Sequence, residues 1–237
     1  MTEFARTGSQ RWLQVAVDRA PEALNAPLRA SLGLPPDARV EWLAPTRAEG
    51  FVEYRDGLAF DNRRRNPHWY VPLDRRPLHE FWPARGPMWD GLASTDRGQF
   101  VLVEAKAHIG EMVSPRSRAG EPARGKIAES MREVQQALAP RSVGAVDWTG
   151  TFYQYANRVA HLHFLREQNG ADAHLVNVYF YNAPDVPSPP SPAHWEGAIT
   201  VAECYLGLGR HRLSRYMHSL FVDVAPLVPL SADGPKG

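Results

Sequence analysis

The residues of this chain that are best suited to chemistry lie in one short segment, residues 99–108. Side chains alternate between the two faces of a β-strand, so Glu104, Lys106 and His108 share one face. Residues 100–103 are all apolar, which predicts a buried strand that ends in a polar site. Because burying an unpaired charge is costly, Glu104 and Lys106 are expected to offset each other or to share a ligand.

Lysine is rare in this chain, which singles out Lys106. Only three of the 27 basic residues are lysines; Lys126 falls in a predicted helix and Lys236 in a polar tail. An ammonium group is a compact point charge with a tunable pKa, whereas a guanidinium stays protonated. A lysine in a chain that otherwise uses arginine therefore suggests a chemical role for Lys106.

A second carboxylate, Asp90, is expected beside Glu104. Residues 88–95 and 99–107 form the clearest pair of predicted strands, and the hairpin between them brings the start of one near the end of the other. Mg²⁺ binds one or two carboxylates and keeps several waters, so Asp90 and Glu104 suit a metal that engages a phosphate. A nearby ammonium can position or activate the attacking water.

Asp90 followed by Glu104-Ala105-Lys106 in a strand resembles the PD-(D/E)xK motif of the restriction-endonuclease-like phosphodiesterase superfamily. The resemblance covers mainly residues 87–108, and Pro87 stands three residues before Asp90, at a position that varies in the family. The helix that follows and a later strand are similar to the family's helix-strand-strand-strand-helix-strand core. The resemblance implies hydrolysis of nucleic-acid phosphodiesters with Mg²⁺ or Mn²⁺, with DNA as the expected partner.

The resemblance also implies a role for each motif residue. Asp90 and Glu104 would hold the metal, and the carbonyl of Ala105 would be a further ligand. Lys106 would orient the attacking water, and an in-line displacement would follow.

Further candidates lie outside the motif. Many members of the superfamily supply a glutamate from an early helix, and Glu53, ranked first, and Glu80 are the candidates here. Gln154 and Arg158 resemble the Gln-x-x-x-Tyr or Gln-x-x-x-Arg helix of recombination-type exonucleases in the same superfamily. With His161 they share one helix face, which predicts either a phosphate contact or a face exposed to solvent.

Other interpretations stand beside these. Glu104 and Lys106 also fit a strand-end ion pair, and His108 is either a neighbour of the site or uninvolved. The basic clusters at residues 63–65 and 210–215 fit solvated loops better than a track for a phosphate backbone. Cys204 is expected to be a small buried hydrophobic residue.

Composition narrows the class of protein. The chain has 237 residues, 43% hydrophobic and 22% charged, which is typical of a globular chain and excludes disorder and collagen-like folds. A net charge of +1 does not point to any particular class of binding partner. A single cysteine excludes an internal disulfide and a cysteine-based zinc site. Since no membrane-length apolar run or signal-peptide pattern is found, a cytoplasmic location is expected.

The elements that position these residues are predicted from periodicity and from Gly and Pro. Helices are expected over residues 9–20, 121–139, 152–168 and 193–206. A further short helix is expected to begin at Pro21. Strands are expected over residues 40–43, 88–95, 99–107, 174–181 and 219–224. Residues 51–60 favour a helix over a hairpin, and residues 62–87 favour a loop.

The predicted architecture is a single α/β domain. It comprises an N-terminal helical extension (1–45), a restriction-endonuclease-like core with a mixed sheet flanked by helices (46–225) and a flexible tail (226–237). Near its end, the order strand, helix, strand predicts a right-handed parallel crossover.

Two classes of function stay open at this stage. The first is a metal-dependent nuclease; the second is a non-catalytic nucleic-acid or protein-binding module that keeps the fold and uses Glu104 and Lys106 as a structural pair. A hydrolase of another phosphoester or of a glycoside is a third. The oligomeric state stays open too, a homodimer included.

Overall fold

A computed structural model describes residues 3–84, 86–117 and 119–232. In chain order, the strands within them are β1 (Val40–Ala44), β2 (Tyr54–Arg55), β3 (Met88–Trp89), β4 (Gly91–Thr95), β5 (Phe100–Lys106), β6 (Ala173–Tyr181) and β7 (Met217–Asp223). The α-helices are α1 (Gly8–Arg19), α2 (Glu22–Ser31), α3 (Asp56–Phe60), α4 (Leu78–Phe81), α5 (Ala123–Leu138), α6 (Tyr153–His163) and α7 (Pro192–Leu206). A π-helical turn, Phe164–Gln168, continues α6.

Five of these strands form a mixed central sheet in the order β1-β4-β5-β6-β7. The pairs β1–β4 and β4–β5 are antiparallel, whereas β5–β6 and β6–β7 are parallel. Gly98, with φ +79°, closes the turn between β4 and β5, a backbone conformation that glycine adopts without strain. The predicted α/β class is therefore confirmed, as is the parallel pairing of the two strands that flank α7.

The alternation of side chains along β5 divides the interior into two hydrophobic cores. Val101 and Val103 lie in a core with residues of α1 and α2, and Leu102 lies in a core with residues of α5, α6 and α7. The sheet is thus the middle layer of three, and β5 is apolar on both faces until Glu104.

The first 45 residues are part of this layered structure. Strand β1 is an edge of the central sheet, and Trp12 and Leu13 of α1 are 1% exposed. The indole nitrogen of Trp12 donates a hydrogen bond to Asp185 (2.7 Å). At the other end, the tail predicted over residues 226–237 begins inside a 3₁₀ helix, Ala225–Ser231, while residues 233–237 lie outside the described residues.

Two predicted elements are divided in the structure. The helix predicted over residues 51–60 is reduced to α3, because β2 pairs antiparallel with β3. The strand predicted over residues 88–95 is interrupted at Asp90, so β3 belongs to this small ladder and β4 to the central sheet.

The prediction that Cys204 is buried is wrong. Cys204 is exposed, because α7 directs only Trp195, Ala202 and Leu206 into the core.

Candidate active site

The polar end of β5 brings the motif residues together. Glu104 and Lys106 leave β5 on one face, and Asp90 lies between β3 and β4. The backbone N–H of Ala105 donates a hydrogen bond to Oδ2 of Asp90 (2.8 Å), which places this peptide beside the Asp90 carboxylate. The two carboxylates and the lysine therefore meet where β4 begins and β5 ends.

Glu104 is 4% exposed and is paired with two cations. Nζ of Lys106 donates to its Oε1, and Nε of Arg158 donates to its Oε2 (2.6 Å). Burial alone would raise the pKa of Glu104, but the charges of Arg158 and Lys106 outweigh it and lower the pKa below its usual value. Glu104 is therefore a buried carboxylate.

Lys106 is held in the charged form by its neighbours. Burial disfavours the ammonium group, but Glu104 and then Asp90 outweigh burial and raise the pKa of Lys106. Its Nζ also donates to Oε1 of Gln154 in α6 (3.1 Å), so one ammonium joins the sheet to the helix above it.

The charge of Asp90 is the least compensated at the site. Burial, followed by the negative charge of Glu104, raises the pKa of Asp90 to about 7. Glu53 lines the same cleft, and burial raises its pKa although Gln10 donates a hydrogen bond to it (2.9 Å). Both groups are carboxylates that an added cation would stabilise in the charged form.

Arg158 is fixed from three sides. Beyond its bond to Glu104, it donates to the carbonyl oxygen of Met88, and its guanidinium lies 4.5 Å from the ring centroid of Trp89. Arg158 is 3% exposed and His161 is 0% exposed. The interpretation of this face of α6 as a solvent-exposed face is therefore wrong; it points to the sheet.

A second layer of hydrogen bonds supports Arg158 and Asp90. Oδ2 of Asp56 lies 2.9 Å from Nε2 of His161, and Oδ1 of Asp56 accepts the indole N–H of Trp89 (3.0 Å). Nδ1 of His161 lies 2.9 Å from the carbonyl oxygen of Asn157, so both ring nitrogens have a polar partner. Asp56 thus joins the helix that carries Arg158 to the strand that precedes Asp90.

A cleft with a volume of about 860 Å³ opens beside Asp90 and Arg158. Its lining residues come from residues 82–84, 86–90, 114–117 and 119–127 and from α6, and include Glu53, Asp90, Gln154 and Arg158. Glu104 and Lys106 are not among them and adjoin the cleft through their hydrogen bonds with Arg158 and Gln154. Asn157 also lines the cleft, and its buried Oδ1 has no hydrogen-bond partner among the residues that the structure describes.

No family model, curated protein or solved structure matches this chain. The geometry of the site thus carries the functional argument. Among the helices within residues 3–84, 86–117 and 119–232, none is long and apolar enough to cross a membrane.

The remaining sequence candidates lie apart from these contacts. Glu80 is exposed in α4 and is not among the residues that line the cleft. His108 pairs with Glu111 (3.4 Å), which also lies 3.4 Å from the backbone N–H of Ala107. Of the two upstream glutamates, Glu53 is the one that lines the cleft with Asp90.

The donors at the site suit a divalent cation only in part. In the described part of the chain, no group of three or more His, Cys, Asp and Glu side chains is arranged to hold a metal. The charges of Asp90 and Glu53 are only partly compensated, which fits a hard cation with retained waters. Each oxygen of Glu104 already accepts a hydrogen bond from a cationic side chain, so a metal ion bound through Glu104 would be repelled by Lys106 and Arg158 unless one of them moved away.

Sequence reasoning missed the residues of the second layer. Asp56 lies in the segment 51–60, for which only a helix or a hairpin was predicted, yet its carboxylate contacts His161, 105 residues away. Trp89 lies in the strand predicted over residues 88–95, and nothing in that local pattern indicates its hydrogen bond to Asp56. For Asn157, the sequence offers one indication: it precedes the candidate Arg158 in a predicted helix.

Proposed function

We propose that this chain is a metal-dependent nuclease with a restriction-endonuclease-like core. It hydrolyses phosphodiester bonds in nucleic acid, and DNA is the favoured substrate. The observation that carries the proposal is the meeting of Asp90, Glu104 and Lys106 with Gln154 and Arg158 beside one cleft. Segments distant in sequence supply these groups, and all of them belong to the motifs from which the resemblance was drawn.

Asp90 and Glu104, with the Ala105 carbonyl and Glu53, are the proposed ligands for Mg²⁺ or Mn²⁺. A bound metal would lower the pKa of a coordinated water and neutralise charge on the phosphate. Lys106 supplies an ammonium donor, which Gln154 holds in place and which orients the attacking water.

Arg158 is proposed to compensate charge at the site. In the structure it neutralises Glu104 from the helix side, where Trp89 and the carbonyl of Met88 fix its guanidinium. If Glu104 held a metal ion, the guanidinium of Arg158 would be available to bind phosphate oxygens through its planar paired donors.

The test is cleavage of labelled single- and double-stranded DNA and RNA with Mg²⁺ or Mn²⁺. We expect wild type to cut at least one substrate, and Asp90→Asn and Lys106→Met to lose cutting by about a hundredfold or more. Lys126→Met is the matched control, because among the described residues Lys126 forms an ion pair with Glu129 alone (3.6 Å) and lies outside the candidate site. Cutting that survives in Asp90→Asn, or in chelator, would overturn the proposal.

One observation favours a second candidate, a non-catalytic binding module. Lys106 and Arg158 already compensate the charge of Glu104, as in a purely structural ion pair. Such a module would bind its nucleic-acid or protein partner equally well in chelator and after Asp90→Asn. Absence of cutting together with absence of Mn²⁺ binding by calorimetry would favour it over the nuclease.

A further inference from the structure

The segment that precedes β7 forms a concave surface, which we call the arginine pocket. Its lining residues are Arg210, His211, Arg212, Ser214 and Arg215, and its volume is about 560 Å³. Three guanidinium groups, an imidazole and a hydroxyl line it, and no carboxylate does. Such a lining is complementary to an anion.

The two smaller side chains of the pocket are left as donors by their own hydrogen bonds. The backbone N–H of Leu213 donates to Nδ1 of His211 (3.2 Å), so the neutral ring carries its proton on Nε2. The backbone N–H of His211 donates to Oγ of Ser214 (3.0 Å), which leaves the hydroxyl hydrogen available. These two bonds also fold the segment back on itself, so both donors are held in place.

Two of the arginines have uncompensated charge. In the described part of the chain, Arg210 and Arg215 have no carboxylate within ion-pair distance, and Arg215 stacks over Tyr216 (4.7 Å). Arg212 pairs with Glu167 (3.2 Å) and donates to the carbonyl of Ala137, so it is anchored to the body of the protein.

In the other basic cluster, residues 63–65, two of the three arginines are paired. Arg63 pairs with Asp61 (2.7 Å) and Arg65 with Glu49 (3.1 Å), so both charges are neutralised locally. The two clusters look alike in sequence, and the structure distinguishes them by their partners.

We propose that the arginine pocket binds a backbone phosphate of the nucleic acid that the candidate active site cleaves. Arg210 and His211 also line a groove with Tyr155, Asn177 and Glu203. Tyr155 and Asn177 also line a cavity of about 10 Å³ beside Glu104 and Lys106, which is too small to hold a phosphate. The lining residues of this groove and cavity lie between the pocket and the site, so a ligand that contacts both has to be a polymer with several phosphates. The choice of nucleic acid rests on the proposed function; the anion site rests on the pocket alone.

The test measures binding of labelled single- and double-stranded DNA to the full chain by fluorescence anisotropy in chelator. We expect Arg210→Gln/Arg215→Gln to bind roughly tenfold more weakly than wild type. We also expect its slope of log K against log salt to fall by about 0.7–0.9 for each lost phosphate contact. Arg63→Gln/Arg65→Gln is the matched control and should bind as wild type does. Melting curves verify that both variants fold.

Failures of the two proposals are distinguishable. Hydrolysis of bis(p-nitrophenyl) phosphate with Mn²⁺ depends on the candidate active site and should be unchanged by the pocket variant. Unchanged DNA binding by the pocket variant would overturn the arginine pocket and leave the nuclease standing. Weakened binding without any hydrolysis by wild type would support the pocket and count against the nuclease. If wild type bound inorganic phosphate at the pocket but did not bind DNA, the ligand would be a small phosphorylated molecule. This outcome would overturn the assignment of the pocket to a nucleic-acid backbone.

Discussion

At the scale of single residues, the candidate site is a set of buried charges that depend on one another. Glu104 stands between Lys106 and Arg158, and each of the three is at most 9% exposed. Such a set gains little over apolar residues when complete, yet removing one member leaves a buried charge without its partner. Its stability is therefore sensitive to single substitutions.

Arg158→Met should lower the free energy of unfolding by about 3–5 kcal/mol, because Glu104 then keeps only one of its two cations. Urea unfolding measures this, alongside Glu104→Gln and the double variant. The double variant should lose less than the two single losses together, since the charge that Arg158 compensated is gone. Strict additivity would show that the two residues are not energetically coupled.

A pair of glycines tests the second layer. A Cβ at Gly86 would lie 1.8 Å from Oδ2 of Asp56, the oxygen that contacts His161, so Gly86→Ala should displace this carboxylate and cost about 1–3 kcal/mol. Gly57→Ala, in α3, meets nothing within 4 Å and should be neutral or stabilising by up to about 1 kcal/mol. Thermal unfolding of both variants decides; equal melting temperatures would contradict the role of Asp56.

At the scale of elements, local patterns predicted what local forces determine. The apolar run of β5, the glycine turn before it and the amphipathic pattern of α5 all lie within short windows, and these elements form as expected. The pairing of β2 with β3 joins segments more than 30 residues apart in sequence, so no window could reveal that it would shorten the helix predicted over residues 51–60.

The candidate site divides in the same way. Asp90, Glu104 and Lys106 were predictable because a hairpin ties their strands together at a short sequence distance. Gln154 and Arg158 were found only through a resemblance, and Asp56 was missed as a site residue because a tertiary contact alone gives it a role.

His163, where α6 passes into its π-helical turn, should make stability depend on pH. Burial, and then the nearby Arg212, lower its pKa from 6.5 to about 4 in the folded protein. As the pH falls below about 6.5, His163 is protonated in the unfolded chain but not yet in the folded protein. The contribution of His163 therefore lowers the free energy of unfolding by about 2 kcal/mol between pH 7.5 and pH 5. Urea unfolding at both pH values should show a smaller loss in His163→Gln, whereas the exposed His68→Gln should match wild type.

At the scale of the whole molecule, the sheet separates two cores and places the charged groups at one end of the buried strand β5. The carboxylates at that end are held by groups from both the sheet and α6. A ligand that compensates Asp90 would therefore stabilise the fold as a unit rather than one loop.

Mn²⁺ should raise the melting temperature of wild type, and the rise should increase with Mn²⁺ concentration. At a concentration of a hundred times the dissociation constant, the free energy of unfolding should increase by about 2.7 kcal/mol. The physical reason is the uncompensated charge of Asp90 and Glu53. Asp90→Asn should abolish the shift, and Glu80→Gln, at an exposed residue outside the cleft, should not. A shift that persists in Asp90→Asn would place the metal elsewhere.

Helix α1 packs into the core on the other side of the sheet from α6, yet its first turn reaches residues near the candidate site. Gln10 donates a hydrogen bond to Glu53, and Ser9 donates one to Glu111 (both 2.9 Å). A fusion partner or purification tag attached at the amino end is therefore expected to disturb a helix that donates hydrogen bonds to Glu53 and Glu111. A tagged preparation can lose activity with every motif residue intact, and removing the tag, or moving it to the carboxyl end, should restore it.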